Sequence, residues 1–274
     1  MIELPEAGAI AASLRTEILG KRICDVAGEF TGNKFTFYYG DPESYKAQLT
    51  GKIVTEIVDR NFYVEIIIED KKLLMRDGAN IRFFKSGSVK PPKSKLIVEL
   101  DDGSFLSVTT SIYSMIYVCG RDEDPENKYY DMEKNGVGAL DLRFTFEYFS
   151  SLIDEKTKKL SAKAFLATEQ RILGIGNGTV QDILFNARIS PRRKINTMND
   201  TEVKRLYDST VKTTRQMMDA GGRDTEKNIY GDAGGYKTLM SAKTYKNACP
   251  ACGGEIIKEN YLGGSVYYCP NCQK

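Results

Sequence analysis

Two cysteine pairs near the C-terminus constrain this chain more than any other feature. Cys249-Pro250-Ala251-Cys252 and Cys269-Pro270-Asn271-Cys272 are Cys-x2-Cys knuckles separated by 16 residues. Four thiolates on two tight turns can surround one Zn²⁺ tetrahedrally, and Gly253-Gly254 and Gly263-Gly264 suit the turns of a two-stranded ribbon. The alternative for four such thiols is a pair of disulfides, which a cytoplasmic chain disfavours. Because four protein ligands leave no position for water, the expected role of the ion is structural. Cys24 and Cys119 lie in apolar, strand-like runs and read as core side chains. A ribbon of this kind is compatible with DNA, RNA or another protein as its partner.

The chain has 274 residues, enough for one large domain or two of ordinary size, and no histidine. Any acid–base chemistry therefore falls to Glu, Asp, Lys, Tyr, Cys or the α-amine, and a Ser-His-Asp triad is excluded. No apolar run approaches the roughly 20 residues of a membrane span, and the start lacks the pattern of a secretory signal. A cytoplasmic protein without membrane contact is expected, with a monomer as the default. The net charge of +2 conceals an asymmetry: residues 156–215 hold 13 Lys/Arg against 5 Asp/Glu, a local +8 that leaves −6 elsewhere. A basic segment in an otherwise acidic chain suits a polyanion, and equally suits a solvated helical face.

Hydrophobic periodicity divides the chain. Ala7, Ile10, Ala11, Leu14 and Ile18 share one helical face that Gly20 ends. Strand-like runs follow at Phe35–Tyr39, Ile53–Val54, Val64–Ile68, Leu73–Met75, Leu96–Leu100 and Phe105–Val108, with Asp102-Gly103 as a hairpin turn. From Thr145 the period is helical, with patterns at Lys163–Ile172 and Thr179–Ala187. A long helix lined by Val203, Leu206, Tyr207, Thr210, Val211, Thr214, Met217 and Met218 has Asn199 and Glu202 as its cap. The expected class is α+β in two domains. Residues 1–120 form an N-terminal helix plus β-sandwich and the polar stretch 121–144 a linker; 145–240 form a helical domain and 241–274 the zinc ribbon.

Between two of the helical patterns lies Gly174-Ile175-Gly176-Asn177. Glycines there let the backbone turn and approach another surface, and the next helix offers unpaired N–H groups suited to phosphate. Asn177 adds an amide, and Arg188, Arg192, Arg193 and Lys194 follow as candidate contacts to neighbouring phosphates. Taken alone, these four residues also fit an ordinary interhelical turn.

The stretch Phe165 to Asn177, continuing through Asp182-Ile183-Leu184 to Pro191, resembles the helix–two-turn–helix motif of the formamidopyrimidine-DNA glycosylase / endonuclease VIII family. The ribbon ending Tyr268-Cys269-Pro270-Asn271-Cys272-Gln273 is similar to that family's, as are the opening Glu3-Leu4-Pro5-Glu6 and the segment from Gly221-Gly222 to Tyr236, which resembles its lesion-capping region. The matches run in the family's order along the whole chain. The resemblance implies double-stranded DNA with a damaged, abasic or distorted site as partner, with Asn177, Gly174 and Gly176 on its backbone. It implies glycosylase and abasic-site lyase chemistry by an N-terminal amine, assisted by Glu3 with Glu6 as a supporting carboxyl. An α-amine titrates near about 7.7–8.0 against about 10.4 for lysine, so an appreciable fraction is neutral and nucleophilic at pH 7.

The sequence departs from the family at defined places. Ile2 stands where the family has the proline whose amine is the nucleophile, so the amine belongs to Met1 or, after its removal, to Ile2. Phe62 replaces a functional lysine and Gly264 an arginine of the ribbon hairpin. The strand that fills the base gap reads Arg76-Asp77-Gly78-Ala79-Asn80-Ile81, and the wedge loop reads Thr110 to Met115, leaving Tyr113 or Met115 as the expected insert. Elements that hold a backbone persist where elements of chemistry are altered. Two readings follow: an enzyme, or a binding module that clamps damaged DNA without cutting it.

Overall fold

The computed structural model describes residues 2–30 and 35–274, with the side chains of Asp77, Ser111, Ile112, Lys128 and Tyr129 not included. Met1, one of the expected nucleophile positions, lies outside the described residues. The chain divides into two compact units. The first comprises residues 1–2, 6–134 and 226–233; the second comprises 3–5, 135–225 and 234–274.

The first unit begins with α1 (Leu4–Ile18), whose Ala7, Ile10, Ala11, Leu14 and Ile18 are all buried, as the spacing predicts. Strands β1 (Ile23–Ala27) and β2 (Thr36–Tyr38), the short helix α2 (Tyr45–Leu49), and strands β3 (Val54–Arg60), β4 (Tyr63–Ile68), β5 (Lys71–Phe84), β6 (Leu96–Leu100) and β7 (Phe105–Gly120) follow. They form one seven-stranded sheet in the order β1-β6-β7-β5-β4-β3, with β2 parallel to β7. The long strands β5 and β7 each serve two sets of neighbours. The β5–β7 ladder passes from Asp77–Ser114 to Ala79–Thr110, so residues 111–113 bulge opposite Gly78. On one side of that break lie β3, β4 and β2, on the other β6 and β1. Side chains from both sides (Val64, Ile66 and Met75; Ile81, Val98 and Leu106) join α1 in one core, which is the sandwich the strand pattern predicts. Every residue of β4 is buried; on its other face Tyr63 packs with Phe62, Leu74, Tyr117 and Tyr130.

The expected linker 121–144 contains the passage between the two units, at residues 134–135, and carries structure of its own. Helix α3 (Lys128–Asn135) sets Tyr130 against Phe62 and Tyr63 in the first unit, while Val137, Ala139 and Phe144 enter the core of the second. A polar sequence with widely spaced apolar anchors looks like a linker by composition. Cys24, expected in the core, is exposed on β1, whereas Cys119 is buried and its thiol is pushed up to about 11 by desolvation.

The second unit holds α4 (Phe146–Ser151), α5 (Ala162–Ala167), α6 (Thr179–Asn186), α7 (Asp200–Asp219) and the hairpin β8 (Ile257–Tyr261)–β9 (Gly264–Tyr268). Helix α5 is shorter than the periodicity predicts because Glu169 and Gln170 adopt positive φ and break it. Helix α7 starts with the capping box read from Asn199 and Glu202. The helices α4–α7 and the ribbon fall in one compact unit. Among the described residues no helix is long and apolar enough to cross a membrane.

Candidate nucleic-acid interface and carboxylate site

The turn before α6 packs where the sequence places it, but its amides are differently employed. Gly174 has φ +82° and its carbonyl accepts the Leu4 N–H at 3.0 Å. Glu3 then faces the first turn of α6: Oε1 accepts the Gly178 N–H at 2.9 Å, Oε2 the Thr179 N–H at 2.8 Å, and the Thr179 hydroxyl also donates to Oε2. The N–H groups expected to await an external phosphate are therefore partly satisfied by the protein's own carboxylate. Gly176 is required for the same reason, since a Cβ there would sit 2.5 Å from the Glu3 carboxyl carbon.

A second charge completes this seat. The Arg223 guanidinium lies 3.6 Å from Glu3 Oε1, both side chains being 2% exposed. It occupies the space beside Gly178, where an added Cβ would meet Arg223 Nη1 at 1.3 Å. Burial pushes the Glu3 carboxyl up, but the Arg223 charge and the hydrogen bonds from Thr179 and Gly178 outweigh it and hold it below the usual glutamate range. One turn along α6, Asp182 accepts the Leu239 and Met240 N–H groups at 2.8 Å each. Burial raises its carboxyl to about 6 against the pull of those donors, Tyr236 and Arg223.

A neighbouring side of α6 faces the ribbon. Asn177 Nδ2 donates to the Ser265 carbonyl at 3.2 Å, and Gln181 Nε2 donates to the same carbonyl at 3.1 Å and to Asn177 O at 2.8 Å. Tyr267 N–H donates to Gln181 Oε1 at 3.1 Å. Gly264 lies directly against Asn177; a Cβ there would stand 3.1 Å from the amide carbon. Below the hairpin, Cys249, Cys252, Cys269 and Cys272 gather their sulfurs within 4.8 Å of one another. The pairs Cys249–Cys272 and Cys252–Cys269 stand 3.8 and 3.5 Å apart, far beyond a disulfide bond and near the edge, about 3.8 Å, of a tetrahedron with metal–sulfur bonds of about 2.3 Å. The four thiols thus fit one metal ion.

The basic residues sort into two groups. Arg192 pairs with Glu259 at 2.7 Å and stacks on Tyr261 with its guanidinium carbon 4.1 Å from the ring centroid. Arg193 makes a bidentate pair with Glu202 at 2.7 Å per bond. Both were expected to reach phosphates, and both are held by acids in this structure. Arg188, at φ +58°, and Lys194 are exposed. Lys163 is buried and donates to the Tyr261 carbonyl, tying α5 to the ribbon.

In the first unit, Ile2 is a buried core residue, and Glu6 is 5% exposed. Phe62 is buried beneath Arg76, whose guanidinium carbon lies 5.6 Å from its ring centroid and 5.0 Å from that of Tyr63. Tyr113, in the β7 bulge, is 63% exposed and contacts Phe35 and Phe37 at ring-centroid distances of 5.2 and 6.1 Å. Sequence reasoning missed Arg223, Gln181 and these two rings. Only Gly178 carried a hint, as a further glycine beside the Gly-Ile-Gly-Asn turn whose missing side chain makes room for a partner.

Residues 136–228 match the formamidopyrimidine-DNA glycosylase H2TH domain. The formamidopyrimidine-DNA glycosylase of Brevibacillus brevis is 27% identical over all of this chain and 99% of that protein, and that of Geobacillus kaustophilus is 26% identical over the full length of both. Among solved structures, Lactococcus lactis Fpg in complex with abasic-site DNA matches with a TM-score of 0.82 at 23% identity, covering 99% of each chain. The MutM (Fpg) protein of Thermus thermophilus matches with a TM-score of 0.80 at 21% identity over 99% of this chain and 98% of that one. The helix–two-turn–helix match and the end-to-end likeness agree with the motifs at both termini: residues 136–228 match the formamidopyrimidine-DNA glycosylase H2TH domain, and the chain is similar over its whole length to formamidopyrimidine-DNA glycosylases.

Proposed function

We propose that the protein is a base excision repair protein that binds duplex DNA at a damaged, abasic or distorted site and acts there as a DNA glycosylase and abasic-site lyase. The full-length likeness to formamidopyrimidine-DNA glycosylases is the observation that carries this reading. On the DNA side, Asn177, steadied by the ribbon backbone, binds a phosphodiester with the Gly174–Gly176 turn, and exposed Arg188 and Lys194 add charge. Arg192 and Arg193 join only by exchanging Glu259 and Glu202 for phosphate. One Zn²⁺ on Cys249, Cys252, Cys269 and Cys272 holds the ribbon as a structural ion. In this reading the catalytic function belongs to residues 1–120 and DNA binding to the helices within 145–240 together with the ribbon 241–274.

In the chemical step, the neutral amine of Met1 or Ile2 adds to the sugar C1′ as the base leaves. The resulting imine makes a C2′ proton acidic, and its loss expels the 3′ phosphate. Glu3, supported by Glu6, is the carboxylate that takes up the proton the attacking amine loses and passes it to the opening sugar oxygen. Tyr113 is the side chain offered to the base gap.

One observation favours the second reading, a clamp that does not cut. Glu3 has both oxygens engaged and Arg223 beside it, a state suited to holding charge rather than releasing a proton. Borohydride reduction in the presence of abasic-site DNA separates the two readings. A covalent adduct at the N-terminus is expected for the lyase; tight binding with no adduct identifies the clamp; indifference to abasic-site DNA overturns both. Intact mass gives the residue that carries the amine.

A further inference from the structure

Arg223 opens the segment after Gly221-Gly222, outside the helix–two-turn–helix turn, yet its side chain ends at the first turn of α6. An arginine so deeply buried needs a partner, and Glu3 supplies an oxygen at 3.6 Å. The room it occupies exists only because residue 178 is glycine: a methyl group there would overlap Nη1 at 1.3 Å. The two residues are therefore coupled, one providing the charge and the other the space. Glu3 is meanwhile fixed in orientation by donors to both of its oxygens.

We propose that Arg223 is a positioning residue for Glu3: admitted by Gly178, its guanidinium fixes the carboxylate in orientation against the first turn of α6. This rests on the reading of Glu3 as the carboxyl of the lyase reaction. Helix α6 contributes the Gly178 and Thr179 N–H groups, the Thr179 hydroxyl and, one turn on, the Asp182 carboxyl, which shares the Arg223 charge. Tyr236 hydrogen-bonds to Asp182. With Arg223 removed, burial acts on Glu3 without its main opponent and its titration moves upward.

The experiment follows the Glu3 side-chain carboxyl carbon by NMR in the full-length, zinc-loaded protein, with Glu3→Gln to assign the signal. In the wild type and in Arg223→Lys the carboxyl stays ionised below the ordinary glutamate value of about 4.3. In Arg223→Thr the midpoint rises by a unit or more, a tenfold change in proton affinity. The double variant Gly178→Ala/Arg223→Thr, in which the methyl fills vacated space, serves if the single variant fails to fold. An unmoved midpoint in a folded Arg223→Thr or double variant overturns the proposal, as does an equal shift in Arg223→Lys. The pH profile of borohydride trapping is read in parallel, and its acid limb moves upward in Arg223→Thr. Absence of adduct at every pH removes Glu3 from the chemistry, and the carboxyl titration then still decides whether Arg223 governs its charge.

Discussion

The two sides of α6 are built on opposite principles. Toward the ribbon, Asn177, Gln181, Ser265 and Tyr267 form a neutral network of amides and backbone groups. Toward the N-terminal segment, Glu3, Arg223 and Asp182 form a buried charged network whose members depend on one another for solvation. Neutral hydrogen bonds are each worth about 0.5–1.5 kcal/mol net and tolerate loss, whereas a buried ion deprived of its partner is strongly destabilising. The ribbon side thus suits a surface that must meet and release a partner. The Glu3 side suits a group whose charge must be fixed.

This contrast can be tested from both ends. The largest effect is expected from chelating the metal: the ribbon, which has little core beyond Tyr267, Ile256 and the cysteines, unfolds, and DNA binding falls with it. Near-ultraviolet circular dichroism and metal analysis check this, with one ion per chain expected. Next is Arg223→Ala, which strands a buried carboxylate; a loss of about 3–5 kcal/mol is expected in urea unfolding. A loss below 1 kcal/mol would erase the distinction between the two sides.

The Asp182 carboxyl gives a pH-dependent signature. Its folded value, raised to about 6, lies above the unfolded one, so its contribution is fully present below the ordinary aspartate range and is lost as pH rises through about 6. Stability falls by about 3 kcal/mol across that window in the wild type, and the slope disappears in Asp182→Asn. Glu3 acts oppositely: its folded value is depressed, so its stabilisation is present above the ordinary glutamate range and is lost as pH falls through the lower folded value. The smallest effect is expected on the ribbon side, where Gln181→Ala leaves the Tyr267 N–H without its partner and costs about 1–3 kcal/mol.

Much of this was legible in the sequence. The four cysteines, the capping box of α7, the face of α1 and the strands around Asp102-Gly103 each obey local rules of spacing or turn chemistry. The turn at Gly174–Asn177 was also visible, but the occupant of its amides was not, because Glu3 approaches from the far end of the sequence. Arg223 was hidden for the same reason: nothing within its own segment signals a partner near residue 178. In residues 121–144 the helix and the buried anchors Tyr130, Val137, Ala139 and Phe144 were hidden by an average composition that is polar. Arg192 and Arg193 looked like available cations since Glu259 and Glu202 lie on other elements. Local rules identify elements; charge partners across the fold need the structure.

The central claim is that the helix–two-turn–helix turn and the ribbon grip DNA by its backbone at a disrupted site. It is tested most directly by titrating the zinc-loaded protein against an abasic-site duplex and its intact counterpart over a range of salt. The account predicts tighter binding to the abasic duplex, an affinity that falls steeply with salt, and a weaker Asn177→Ala variant with nearly the same salt slope, since a neutral amide displaces no counterion. Equal affinity for the two duplexes, or an Asn177→Ala variant indistinguishable from wild type, would contradict it.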